Sequence, residues 1–249
     1  GRRPYEQILF QFSHHVVEYG GDLRHASESL VTSPGVFPNF ATIRALRDSV
    51  GSAGSVIHWW DHERTVLGKV REQLRDSEEG DREELITFID ALLLRMIDLG
   101  RTYARTVFLP GTRGKSSLKF VLPALLAQLP RLAEMWSQPT YGATGGQPSR
   151  NFRDHAWVQF RADGTVIDPY SLLGARFTDP VLRALDSGDD DVVANGGAAM
   201  VAYGELQDVA TSTERRAELE RQLLRYCELD TVAMVVAYQG SQMFLACRG

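Results

Sequence analysis

Cysteine is nearly absent from these 249 residues: Cys227 and Cys247 are the whole complement. Neither belongs to a C-x-x-C pair or a cysteine/histidine ligand set, which excludes a zinc ribbon and a disulfide framework. No run of about 18 apolar residues occurs, so no segment reads as a membrane-spanning helix. No signal-peptide pattern is visible, and the expected location is the cytoplasm. A G-x-S-x-G elbow is also missing, which removes the Ser-His-Asp hydrolase class. The loop Gly111-Thr-Arg-Gly-Lys-Ser-Ser117 is too short between its glycines for a G-x-x-x-x-G-K phosphate loop, and no strand precedes it.

One further absence is local. From Leu99 to Ala133 there is no Asp or Glu, while Arg101, Arg105, Arg113, Lys115, Lys119 and Arg131 all fall there. The whole chain carries a net charge of −5, so this stretch reverses the sign of its surroundings. That balance argues against a nucleic-acid glove over the entire surface but leaves room for a basic groove. Arg113, Lys115 and Lys119 are the candidate phosphate contacts, with a solvated basic loop as the plainer reading.

What is present has an ordinary globular balance, 43% hydrophobic and 24% charged. Residues 8–18 alternate: Leu9, Gln11, Ser13 and His15 fall on one side, Phe10, Phe12 and His14 on the other. This predicts a strand, continued through a Gly20-Gly21 turn into a second, short one. Asn39–Val50 reads as a helix ended by Gly51 and Gly54. Ser55–Trp60 reads as a central strand, followed by a helix from Asp61 to Arg75 with Val66, Val70 and Leu74 in phase. Asp81 starts another helix through Leu94, and Arg95–Leu99 is a short strand ending in Asp98. Residues 137–155 form a long loop, and Trp157–Tyr170 a hairpin turning at Ala162-Asp-Gly164. Asp186–Asp191 is an acidic loop, and Gly196–Tyr203 a small-residue helix start. The pattern is α/β, a sheet covered by helices, with no internal repeat and no clear boundary, so 1–249 reads as one domain.

A long helix opens at Ser212 and Thr213. Its apolar stripe runs Leu219, Leu223, Cys227, Met234 and Ala237, and Asp230 falls where an apolar residue is expected. Tyr226, four residues earlier, shares its face. A carboxylate on such a stripe needs a cation or hydrogen bonds. Hydrolysis of a phosphodiester by two metals needs several carboxylates around cations about 4 Å apart, with oxygen ligands suited to Mg²⁺ or Mn²⁺. Glu63, just after a strand, and Asp230 are the candidate ligands; Asp61 and Asp98 are extras, Asp98 being expected to cap the following turn. Tyr226 is placed to orient the attacking water. His14, His15, His58 and His62 are expected to be ordinary sheet residues, and Trp59 and Trp60 core or rim.

Tyr226-x-x-x-Asp230 after Leu-Leu-Arg resembles the third motif of the tyrosine-type branch of the DEDD exonuclease superfamily, and the strand before Glu63 resembles the second. Met96-Ile-Asp-Leu99, followed by Ser117–Pro123, is similar to the stretch that joins those two motifs. More widely, Pro4-Tyr-Glu-Gln, Phe10–His15, His62-Glu63, Ser117-Leu-Lys, Asp168-Pro-Tyr170, Gly196–Met200 and Tyr226–Thr231 resemble a bacterial family of exonuclease-like domains. Those domains are often found C-terminal to RecB- or Cas4-like nucleases.

The resemblance implies an RNase H-like mixed sheet flanked by helices, with a hairpin-containing insertion. It implies metal-dependent 3′-5′ exonuclease activity, with Tyr226, Asp230 and Glu63 catalytic, Asp230 and Glu63 on metal, and nucleic acid as partner. A RecB/Cas4-like nuclease domain in the same chain is a further expected partner. Glu63 stands where that family usually has Asp. The first motif, Asp-x-Glu on the first strand, is not found before Phe10, and the expectation is a piece of a longer protein. The alternative is a catalytically inactive module that binds nucleic acid or a partner and leaves cleavage to a neighbouring nuclease.

Overall fold

The computed structural model of the chain describes residues 6–19, 21–174 and 192–246. Strand β1 (Gln11–Val17) pairs antiparallel with β2 (Leu23–Leu30). Their turn closes when the Gly21 N–H bonds the Glu18 carbonyl at 2.9 Å, with Gly21 at a φ of 89° that favours glycine. At eight residues, β2 is longer than the short strand expected. The register pairs His14 with Ser27 and His15 with His25, leaving Ala26 as the extra residue of a bulge. Past the bulge, the side of β2 that faces inward shifts by one residue, so His25 and Glu28 point the same way.

Helix α1 (Asn39–Val50) has the expected bounds and buries Phe40 and Ile43. Strand β3 (Val56–His58) and strand β4 (Met96–Asp98) are parallel neighbours, joined by helices α2 (His62–Arg75) and α3 (Arg82–Arg95). Val66, Val70 and Leu74 of α2 meet Leu85, Ile89 and Leu92 of α3 and the apolar face of α1 in one core. Each fully buried aliphatic side chain there contributes about 1.5–3 kcal/mol. Helix α4 (Leu99–Thr106) follows β4 directly.

A second core is built by α5 (Leu118–Gln128), α6 (Pro130–Ser137) and the 34-residue helix from Thr213 to Ala246. Leu122, Leu125, Leu126 and Leu132 pack there with Leu223, Leu229, Val232 and Val236 of the long helix. Gly240 lets the two helices touch: a Cβ on it would stand 2.7 Å from a Leu125 methyl. The expected hairpin is present with arms of two residues each, β5 (Gln159–Phe160) and β6 (Val166–Ile167). Helices α7 (Pro169–Gly174) and α8 (Val192–Gln207) precede the long helix, α9. Gly196–Tyr203 lies within α8, where Ala202 and Tyr203 are buried. The acidic stretch 186–191 lies outside the described residues.

The chain is thus a mixed α/β protein, rich in helix with small sheets. Among the described residues the strands form three separate two-stranded ladders, not the one mixed sheet expected. The strands themselves explain this. β3 and β4 are three residues long, and Trp60, at a φ of 62°, turns the chain away just beyond β3. The face of β1–β2 is taken up by α9. No helix among the described residues is long and apolar enough to cross a membrane.

Candidate functional site

Parallel pairing of β3 with β4 sets His58 beside Asp98, so both strands end at the same edge. Open α/β sheets present their ligands at such carboxyl ends. Asp98 caps α4 as expected, its Oδ1 accepting from the Arg101 N–H at 2.8 Å. The same oxygen accepts from the Trp60 N–H at 3.1 Å, which fixes the corner after β3. Oδ2 is buried without a hydrogen bond, although the Arg101 guanidinium stands 3.3 Å from it.

That corner delivers Glu63 in the first turn of α2. Its side chain is 44% exposed as a whole, yet Oε2 is covered and makes no hydrogen bond. Burial pushes the carboxyl up to about 7; a bond to its own backbone opposes this, and the charges of Asp230 and Asp98 add to it. Asp230 and Asp98 are thus the two carboxylates whose charge Glu63 feels. Asp61 does not join them: it is exposed and pairs with Arg101 at 2.6 Å.

Asp230 enters from α9, a helix begun by Ser212, whose Oγ accepts from the Arg215 N–H at 3.2 Å. The fully buried line of α9 runs Leu219, Leu223, Leu229, Val232, Ala233 and Ala237. Cys227, Asp230 and Met234 lie at its half-buried margin, so Asp230 borders the core and looks out of it. Burial raises the Asp230 carboxyl, while Lys119 and a hydrogen bond from Tyr170 pull it back, leaving it at about 6. The Tyr170 Oη donates to Asp230 Oδ1 at 3.0 Å. This gives the Asp168-Pro-Tyr170 segment a place that sequence alone did not supply. Tyr226 sits beside them, near enough that its charge pushes the Tyr170 phenol further up, after burial and Asp230.

The three candidate phosphate contacts separate. Lys119 lies over the Tyr170 ring at 5.4 Å and the Tyr226 ring at 5.6 Å, inside the carboxylate region. Lys115 lies 4.3 Å over Phe120. Arg113, left-handed at a φ of 52°, is exposed on the loop above. That loop is held down because the indole N–H groups of Trp59 and Trp60 both donate to the Ser116 carbonyl, at 3.0 and 3.1 Å. Trp59 is buried in the core and Trp60 lies at its rim.

A second polar cluster went unread in the sequence. Glu228, fully buried on α9, accepts from Tyr141 Oη at 2.5 Å, Ser149 Oγ at 2.6 Å and Asn151 Nδ2 at 2.8 Å. Burial works to raise this carboxyl, but His25, Ser149 and Tyr141 outweigh it and hold it at about 2. Asn151 Nδ2 also reaches Glu28 Oε2 at 2.6 Å. The His25 Nδ1 is 3.1 Å from Glu228 Oε1. The ligand atoms of His25, Glu28 and Glu228 all lie within 4.8 Å of one another.

His15 is therefore not an ordinary sheet residue: it bonds Thr231 Oγ1 at 2.7 Å and Tyr141 Oη at 2.7 Å. Burial, with His25 beside it, pushes its imidazole down to about 3. His62 is exposed, and His14 reaches Ser27 Oγ at 3.3 Å. His58 is buried, with Nδ1 on the Trp60 carbonyl and 3.9 Å from Glu63 Oε2. The Cys227 thiol feels carboxylates of both clusters: burial raises it, and then the charges of Asp230, Glu28, Glu63 and Glu228. Cys247 lies outside the described residues.

Residues 1–117 match the model of a family described as a domain of unknown function, DUF2779. The match takes in His25, Glu28, Glu63 and Asp98 and ends before Lys119, Tyr170 and α9. No curated protein and no solved structure matches the chain.

Proposed function

We propose that the Glu63–Asp98–Asp230 region is the centre of a metal-dependent 3′-5′ exonuclease-like domain of RNase H-like type, acting on nucleic-acid ends. The observation that carries this reading is the pair of buried, unbonded carboxylate oxygens, Glu63 Oε2 and Asp98 Oδ2, with the Glu63 carboxyl raised by burial and then by the charges of Asp230 and Asp98. A covered carboxyl that burial and then the charges of two other carboxylates raise is a poor arrangement for protein alone and a good one for a divalent cation. The donor set is all oxygen, which fits Mg²⁺ or Mn²⁺. Glu63, Asp98 and Asp230 are the residues that would hold it, and such an ion supplies an activated water and charge neutralisation at the phosphate.

The remaining side chains take roles that follow from their places. Tyr170 fixes the orientation of Asp230 through its hydroxyl. Tyr226 sets a phenol beside the same region, where it can hold a water for attack on phosphorus. Lys119, over both tyrosine rings, lends a positive charge to an arriving phosphate. Arg113 and Lys115 extend that charge along the acid-free loop toward the surface.

One observation favours the binding-module reading. Glu63, Asp98 and Asp230 do not form a group whose ligand atoms all lie within 4.8 Å; among the described residues, His25, Glu28 and Glu228 do. A single assay separates the readings: Mn²⁺-dependent release of mononucleotides from 3′-labelled single- and double-stranded DNA and RNA, for the parent and Asp230→Asn. The exonuclease reading expects release that drops at least a hundredfold in the variant. Nucleic-acid binding without release, equal in both proteins, supports the module instead.

A further inference from the structure

The hydrogen bonds around His25 run in one direction. Tyr141 has one proton and gives it to Glu228 Oε1, so the His15 Nε2 must donate to Tyr141. The Thr231 hydroxyl lies 2.7 Å from the His15 Nδ1, closer than to its alternative carbonyl acceptors at 3.1 and 3.3 Å, so Thr231 donates to His15. Ser13 must then donate to Thr231 at 2.9 Å, and the His25 Nε2–H to Ser13 at 3.0 Å. Each proton is assigned, and the His25 Nδ1 is the one ring nitrogen left over.

This nitrogen is buried in a side chain with no exposure, and it makes no hydrogen bond. Glu228 Oε1 lies 3.1 Å away but off the line that a hydrogen bond requires. Two ligand atoms on one cation, at bonds of about 2.1 Å, stand about 3 Å apart with the ion off the line between them. Glu28 completes the set, mostly buried beside them. Among the described residues, no Lys or Arg is within ion-pair distance of either glutamate; His25 is the side chain that stands there.

The geometry points to a second metal site: His25 Nδ1, Glu28 and Glu228 bind one divalent transition cation, Zn²⁺ or Mn²⁺, which pins the β1–β2 hairpin to α9. An imidazole among the ligands favours these ions over Mg²⁺ and Ca²⁺. Outer partners are already in place: Ser13 fixes the His25 tautomer, and Ser149, Tyr141 and Asn151 orient the carboxylates. The site neighbours the Glu63–Asp98–Asp230 region without sharing a ligand with it, and its existence does not depend on the nuclease reading.

The test uses a Glu63→Gln/Asp230→Asn background, so that loss of the other carboxylates cannot be confused with loss of this site. That protein, loaded with Zn²⁺ and desalted, is expected to retain one equivalent by mass spectrometry of the metal. Adding His25→Gln should weaken Zn²⁺ binding at least tenfold, with the helical circular-dichroism signal retained. No retained zinc in the background, or equal affinity after His25→Gln, overturns the proposal. Should the His25 variant fail to fold, the zinc-edge X-ray absorption of the background protein decides. One imidazole with oxygen ligands supports the site; none, or more than one, overturns it.

Discussion

The Tyr170 hydroxyl donates a 3.0 Å hydrogen bond to Asp230 Oδ1, tying the segment after the β5–β6 hairpin to the middle of α9. Sixty residues separate the two in sequence. The bond holds one carboxylate oxygen of a group that Lys119 lowers and that in turn raises Glu63. Tyr170 is therefore a positioning residue.

Replacing Tyr170 by Phe removes this bond while keeping the buried ring. Removing an outer partner of a ligand costs about 10–100-fold in metal affinity. Tyr170→Phe should weaken Mn²⁺ binding by about tenfold in calorimetry and leave the thermal midpoint of the metal-free chain within a few degrees. Unchanged affinity would show that Asp230 is oriented by its helix alone.

The raised carboxyls of Glu63, at about 7, and Asp230, at about 6, set a pH dependence for the metal-free chain. Both sit above their usual range near 4, so between these limits the folded state binds more protons than the unfolded one. Stability in EDTA should fall as pH rises from about 4 to about 7 and gain no further loss from these groups above that. Urea denaturation across this range, for the parent and Glu63→Gln, reads the effect: the variant should show the shallower slope. A slope equal in both proteins would contradict the burial of Glu63 Oε2.

Arg113 and Lys119 should affect nucleic-acid binding differently. Each phosphate contact contributes about −0.9 to the slope of log K against log salt on duplex DNA, and about −0.7 on single strands. Arg113→Ala, on the exposed loop, should lower the slope by about one contact and leave metal binding alone. Lys119→Met should also raise the Asp230 carboxyl further, because the Lys119 charge does most to hold it down. Its signature is weaker Mn²⁺ binding below pH 7, read by calorimetry at two pH values.

Much of this arrangement was legible in the sequence because it follows from local period. The α1 bounds, the β3–α2–α3–β4 order and the Asp98 cap all rest on spacing, glycine stops and short-range side-chain bonding. Asp230 stood out as a charge on the apolar stripe, although it lies at the half-buried margin, and Glu63 as the residue after a strand. His25 and Glu28 did not stand out, because strict alternation puts positions three apart on opposite faces of a strand. Only the bulge at Ala26 turns them together, and nothing in the Arg24–Glu28 sequence announces it. Glu228 lay within the Tyr226–Thr231 segment without being singled out. Its burial is decided by the loop 141–155, whose tight winding brings Tyr141, Ser149 and Asn151 over it. That winding needs Gly142, where a Cβ would stand 2.2 Å from the Phe152 carbonyl. The strands form separate ladders instead of one sheet for a related reason: strand propensity marks extended segments, while pairing between ladders depends on distant packing.

The most direct test of the central claim is calorimetric titration of Mn²⁺ into the chain at pH 7.5, beside Asp230→Asn. The account predicts binding to the parent and loss, in the variant, of the binding event that Asp230 supports, with any event at His25, Glu28 and Glu228 retained. Isotherms that superimpose would contradict the assignment of Asp230 as a metal ligand, and with it the exonuclease reading.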